Sequence, residues 1–191
     1  MGSWNIEGYT EVKRIQLQRY MQQQGMGILC LQETHKPKSD YWVSEEGYVI
    51  ILSGGPEGVR ENAGVGFMIA PWMRKSVVSF CQASPRMACL KIRIQGGKMN
   101  ILSAYAPHTG YDFSDRQHFF HALAEFVNKQ SAHGPKLIYL FAVTSMRGCL
   151  DSYLVKKMLL VHICMKIKEH KSKQQQIDTY WWSYASASVC W

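Results

Sequence analysis

The chain has 191 residues, room for one ordinary domain, and its 47% hydrophobic and 19% charged content argues against wholesale disorder. A net charge of +8 suits a polyanionic partner. No apolar run approaches the roughly 18 residues of a membrane helix, and the start "MGSWNIEGY" is neither a signal peptide nor a full myristoylation match, so the expected setting is intracellular, nuclear or cytoplasmic, and off the membrane.

In chain order, "SWNI" is a short apolar run. "EGYTEVKRIQLQRYMQQQG" reads as a helix with Thr10 as N-cap and Gly25 as its stop. "GILCLQETH" predicts a buried strand, Ile28 to Leu31, that meets polar groups at its end. "YVIILS" is a further strand, followed by the loop "GGPEGVREN". "GVGFMIAP", "SVVSFCQAS", "MACLKIRIQ" and "MNILSAYAP" are four more, separated by turn residues. Ser114 and Gln117 form a capping box for a second helix. Its apolar face is Phe119, Ala122, Leu123, Phe126 and Val127, at i, i+3, i+4, i+7 and i+8. Gly134-Pro135 should end it, and Leu137 to Leu140 should be the next strand.

That order predicts an α/β (or α+β) layered protein, a mixed sheet with helices on its outer face. After Leu140 the character changes. A lysine-rich run, a glutamine triplet and a tryptophan-rich end follow, and no residue after Gly148 is Pro or Gly. A helix can be fitted to Leu154–Ile167, but its apolar residues surround the axis. Six cysteines form no C-x-x-C pair, which argues against zinc. Cys30, Cys81 and Cys89 lie in apolar runs and are expected to be buried thiols.

Four residues at or near strand ends, Asn5, Glu33, Tyr105 and His108, are candidates for chemistry, and Arg86 and His35 join them. Glu33 follows "ILCL", so the chain delivers a carboxylate to the rim of a buried sheet. A carboxylate there calls for solvent, a partner or a hard cation such as Mg²⁺; otherwise it caps the next loop. Asn5 could orient a phosphate or stabilise a turn. The Tyr105 hydroxyl could donate to a phosphoryl oxygen, or the ring could simply be half-buried. Arg86 could pair with a phosphate or with the surface, and the loop histidines His108 and His35 could touch substrate or water.

In their order "WNIEG", a helix, "ILCLQETH", "GVGFMI" and "NILSAYAP", these stretches resemble the endonuclease/exonuclease/phosphatase superfamily. The "QETH" and "YAP" signatures are most similar to the endonuclease domains of non-LTR retrotransposons and to craniofacial-development-protein-like sequences. The resemblance covers residues 2 to 140 and leaves residues 141 to 191 as a divergent basic and aromatic tail. It implies a four-layer α/β sandwich, of which this chain holds the N-terminal half. It also implies phosphodiester hydrolysis on DNA with Mg²⁺ or Mn²⁺. Asn5, Glu33 and Tyr105 match the family's active-site Asn, metal-binding Glu and active-site Tyr. Arg86 and His108 are candidates for nucleic-acid contact.

The family continues with Gly-Asp-Phe-Asn, whose Asp activates the attacking water, and later with Ser-Asp-His. Neither motif is present: the acids after Leu140 are Asp151, Glu169 and Asp178, and no His follows Asp178. The expected protein is therefore a catalytically impaired remnant of a nuclease. The alternatives are a non-catalytic basic nucleic-acid-binding remnant and an unselected translation product.

The codons offer an account of the loss. "VTSMRGC" can be encoded GTG ACT TCA ATG CGA GGT TGC. With a G ahead, the neighbouring frame reads GGT GAC TTC AAT GCG AGG TTG, which spells Gly-Asp-Phe-Asn-Ala-Arg-Leu. The codons are chosen within the degeneracy of the code. Even so, Val143, Thr144, Ser145 and Met146 must supply GT, AC, TC and AT, and few heptapeptides permit that. The expectation is a one-base frame change between about Gly134 and Val143, with the remaining residues out of frame.

Overall fold

A computed structural model describes residues 1–55, 63–108, 110–132, 137–144 and 161–166, with side chains through residue 130. Two five-stranded sheets pack face to face. The first is built from β1 (Gly2–Asn5), β2 (Ile28–Gln32), β3 (Asp40–Val43), β4 (Val49–Ser53) and β5 (Val65–Ile69), in the order β1-β2-β5-β4-β3. The second contains β6 (Val77–Ser84), β7 (Met87–Ile94), β8 (Gly97–Ala106), β9 (Leu137–Thr144) and β10 (Val161–Lys166), in the order β10-β9-β8-β7-β6. Each sheet is mixed: β1 runs parallel to β2, and β8 parallel to β9.

Alternation along the strands builds the layers. In β2, Ile28 and Cys30 point into the core between the sheets, with Val65 and Phe67 of β5 and Leu90 and Ile101 of the facing sheet. Leu29 and Leu31 point the other way, against Leu17 and Met21 of α1 (Glu11–Gln23). On the far side Cys89, Leu102 and Ala104 pack against Phe119, Phe126 and Val127 of α2 (Phe113–Ala132). The layers are therefore helix, sheet, sheet, helix. β2 and β5 are buried at every position, as strands covered on both faces must be.

Most predicted elements are present within a residue or two, and the departures have physical causes. Thr10 caps α1, its hydroxyl accepting from the Lys13 amide at 3.3 Å. Gly25 adopts a φ of +60° just past the C-cap. Ser114 is not an N-cap, because α2 already begins at Phe113 and the Arg116 amide donates to the Asp112 carbonyl. β3 and the 3₁₀ turn Pro71–Ser76 had no periodic signal: neither has a buried residue to mark it. Cys81 is exposed, not buried, because β6 is an edge strand and alternate residues face out. The helix fitted over Leu154–Ile167 is replaced at Val161–Lys166 by β10, antiparallel to β9. The strand predicted for Leu137 to Leu140 continues to Thr144. The expected stop at Gly134-Pro135 lies outside the described residues. Among the described residues no helix is long and apolar enough to cross a membrane.

Candidate active site

Asn5 ends β1, and Glu33 follows β2 directly. These strands are parallel neighbours with Asn5 opposite Gln32, so both side chains emerge at the same sheet end. Tyr105 is near the end of β8 in the facing sheet. The sandwich brings the three together. Glu33, 3% exposed, accepts two hydrogen bonds on one oxygen: Asn5 Nδ2 donates to Oε1 at 2.7 Å and the Tyr105 hydroxyl at 2.9 Å. Below them Gln32 and Ser103 tie the sheets, Gln32 Nε2 donating to Ser103 Oγ at 3.0 Å and Ser103 Oγ to the Leu31 carbonyl at 3.2 Å.

The loop that presents Glu33 is held on both sides by backbone. Gly8 and Tyr9 amides donate to the Glu33 and Thr34 carbonyls at 2.6 and 2.9 Å. Thr34 and His35 amides donate to the Gly64 and Ala63 carbonyls at 3.1 and 2.9 Å. Lys13 of α1 secures the neighbouring loop, its Nζ reaching the Ile6 and Glu7 carbonyls. Among the described residues the non-glycine residues with positive φ are Glu7 (46°), Glu33 (53°) and His35 (52°), all in this corner. Such conformations cost of order 1–3 kcal/mol each and concentrate at functional sites. Gly64, at φ +107°, is required by contact as well: a Cβ there would stand 2.2 Å from Thr34 Oγ1.

Arg86 and His108 lie beside this cluster rather than in it. The Arg86 guanidinium is 5.2 Å from the Tyr105 ring centre and 5.3 Å from that of Tyr111. Its Nη2 donates to the Tyr111 hydroxyl at 3.1 Å. His108 packs edge-on against Tyr111, ring centres 4.7 Å apart, and its Nδ1 accepts the Gly110 amide. Sequence reasoning missed Tyr111, which links the two, because a lone loop tyrosine carries no signal. It also missed Gln32 and Ser103, whose polar side chains inside strands were the available hint.

Glu33 can hold a divalent cation. Asn5 and Tyr105 occupy Oε1, while Oε2 faces His35 Nε2 at 3.7 Å. One carboxylate, completed by water and phosphate, is a donor set that Mg²⁺ accepts. Among the described residues no group of three or more His, Cys, Asp or Glu gathers.

No family model matches the sequence, and no curated protein does. Solved structures do match. A variant of the 3′ phosphatase NExo from Neisseria, bound to a product DNA hairpin, superposes with a TM-score of 0.50 at 15% identity, over 74% of this chain and 55% of that one. The AP endonuclease LMAP from Leishmania major gives 0.52 at 13%, over 73% and 53%. The chain shares the fold of these two structures. The endonuclease domain of TRAS1, a telomere-specific non-LTR retrotransposon, gives 0.49 at 10% identity, over 74% and 56%. The chain spans just over half the length of these structures. A partial sandwich accounts for that share.

Proposed function

We propose that residues 2 to 140 are the N-terminal part of a Mg²⁺- or Mn²⁺-dependent DNA endonuclease of retrotransposon type, catalytically impaired in this chain. The observation that carries the reading is the convergence of Asn5 and Tyr105 on one oxygen of Glu33. Two donors fix the carboxylate and leave its second oxygen to a cation. A cation bound there would offset charge on a phosphodiester. Asn5 and Tyr105 orient Glu33, and Arg86 and His108 extend the surface toward a nucleic-acid backbone. The +8 charge favours that encounter.

The impairment concerns β9. It runs parallel to β8 with Val143 opposite Tyr105 and Thr144 opposite Ala106. A group at the end of β9 is therefore carried to the same sheet end as Tyr105. In this chain those positions supply Val143 and Thr144 and no acid. In the neighbouring frame the Asp codon takes the last base of Val143 and the first two of Thr144. The register supports the proposal that residues after about Val143 are an out-of-frame replacement of the domain's second half. Loss of a general base costs about 10²–10⁴-fold in rate.

Plasmid nicking with Mg²⁺, wild type against Glu33→Ala, tests the activity. Nicking that the substitution abolishes would establish an active enzyme and overturn the impairment. Salt-dependent DNA binding without nicking is the expected result and fits a non-catalytic remnant. The nucleotide sequence across codons 130 to 150 tests the frame: codons for Val143 to Met146 that cannot spell the motif end that idea.

A further inference from the structure

The connection from β8 to α2 carries two exposed rings, each with an arginine against it. The Arg86 guanidinium, from the turn between β6 and β7, lies 5.3 Å from the Tyr111 ring centre, and that of Arg116 lies 5.7 Å from the Phe113 ring centre. Tyr111 is 39% exposed and Phe113 67%. Aromatic rings interleaved with cations are what single-stranded nucleic acid stacks and tracks on.

Tyr111 is fixed where it stands. Its hydroxyl accepts from Arg86 Nη2 at 3.1 Å, its amide donates to the His108 carbonyl at 3.1 Å, and the His108 ring packs on it edge-on. Gly110 lets the histidine lie there, since a Cβ would stand 2.8 Å from His108 Cε1. Arg86 is half-buried and pairs with no carboxylate among the described residues, although Asp112 and Asp115 stand in the same connection. Its charge is left for a phosphate. The same guanidinium is 5.2 Å from the ring of Tyr105, whose hydroxyl reaches Glu33. Arg86 therefore stands between the Glu33 site and the Tyr111 ring.

We propose that Tyr111, held by Arg86 and flanked by His108, is a stacking platform for an unpaired nucleobase beside the Glu33 site, so that the protein selects DNA with a single-stranded nucleotide there. The inference rests on DNA as the proposed partner and adds the strandedness that is taken. Arg86 meets the phosphate and Tyr111 the base, and Phe113 with Arg116 repeats the pair further along the strand. A continuous duplex keeps its bases stacked on one another and offers the ring no face.

The test is fluorescence anisotropy of labelled DNA with the full chain, without divalent cation, so that Glu33 as a metal ligand is not what is read. The probes are a single-stranded oligomer, the same oligomer in duplex, and an abasic oligomer with the same phosphates and no bases. Wild type should bind the single strand more tightly than the other two. Tyr111→Leu should weaken single-strand binding at least about 5-fold and leave abasic binding unchanged, which also shows that the variant is folded. Tyr111→Phe should keep the preference, because the ring remains. Equal wild-type binding of the single strand and the abasic oligomer overturns the platform whatever the variants do. So does a Tyr111→Leu protein, folded by circular dichroism, that binds both probes as wild type does or loses both alike. Tighter binding of the duplex overturns the platform and leaves the endonuclease reading in place; no binding of any probe overturns both.

Discussion

The Tyr105 hydroxyl donates to Glu33 Oε1 at 2.9 Å, across 72 positions of sequence and from one sheet to the other. The carboxylate is buried, so this bond and that of Asn5 offset its loss of hydration. Hydrogen bonds to charged groups contribute about 1.5–3 kcal/mol. Tyr105→Phe should lower the unfolding free energy by about that amount in urea titration. A variant as stable as wild type would show that the bond contributes nothing to holding the sheets together.

Gly64 stands behind the Glu33 loop. Gly64→Ala puts a methyl 2.2 Å from Thr34 Oγ1 at a φ of +107°, so the loop must move or the backbone must. The expected outcome is a loss of about 1–3 kcal/mol in stability, together with weaker cation binding. Unchanged stability and binding would mean that the close contact is relieved without moving Glu33.

Arg14 of α1 is buried, 8% exposed, and it joins helix to loop: it pairs with Glu11 and, at 3.1 Å, with Glu46, and donates to Gln18 Oε1 at 2.8 Å. The Arg14 side-chain hydrogen bond holds Glu11 below the usual carboxylate range. Glu46 is lowered first by a backbone hydrogen bond at its own residue, then by Ser44 and Arg14. A carboxyl with a lowered folded pKa adds stability that is complete above its unfolded value and lost as pH falls through the folded one. The melting temperature should therefore be flat near neutrality and fall below about pH 4.5. Arg14→Met should flatten that acid limb. Both carboxylates are at the surface, so the effect is one of shape more than size.

The described cysteines should differ sharply in reactivity. Burial pushes the Cys89 thiol up to about 12 and lifts Cys30 further above its ordinary range. Cys81 is exposed on an edge strand. Peptide mapping after iodoacetamide at about pH 8 should find Cys81 modified in the native protein and Cys30 and Cys89 only after unfolding. Native modification of Cys30 would contradict a closed inter-sheet core.

Local chemistry explains what could be read in advance. Thr10 before "EVKR" and Gly25 after "QQQ" bound a helix wherever the chain goes, because caps act on backbone groups within one turn. "ILCL" and "GVGFMI" announce strands buried on both faces because nothing polar interrupts them. "DYWV" failed to announce itself because an edge strand held mainly by pairing to β4 needs no apolar period. Cys81 was misjudged for the related reason that hydrophobic composition does not tell an edge from a centre.

The sequence by itself determined the run of strands and helices and delivered Asn5, Glu33 and Tyr105 to strand ends, since strand period and turn residues are local properties; it read as one mixed sheet, and only long-range pairing divided the strands into two. It also determined that β9 ends without an acid. Only the tertiary structure decided that Asn5 and Tyr105 share one oxygen of Glu33, that His35 Nε2 faces the other, and that Val143 runs beside Tyr105. Those relations depend on the packing of one sheet on another and on strand register. Contacts between residues far apart in the chain set both, and no local pattern encodes them.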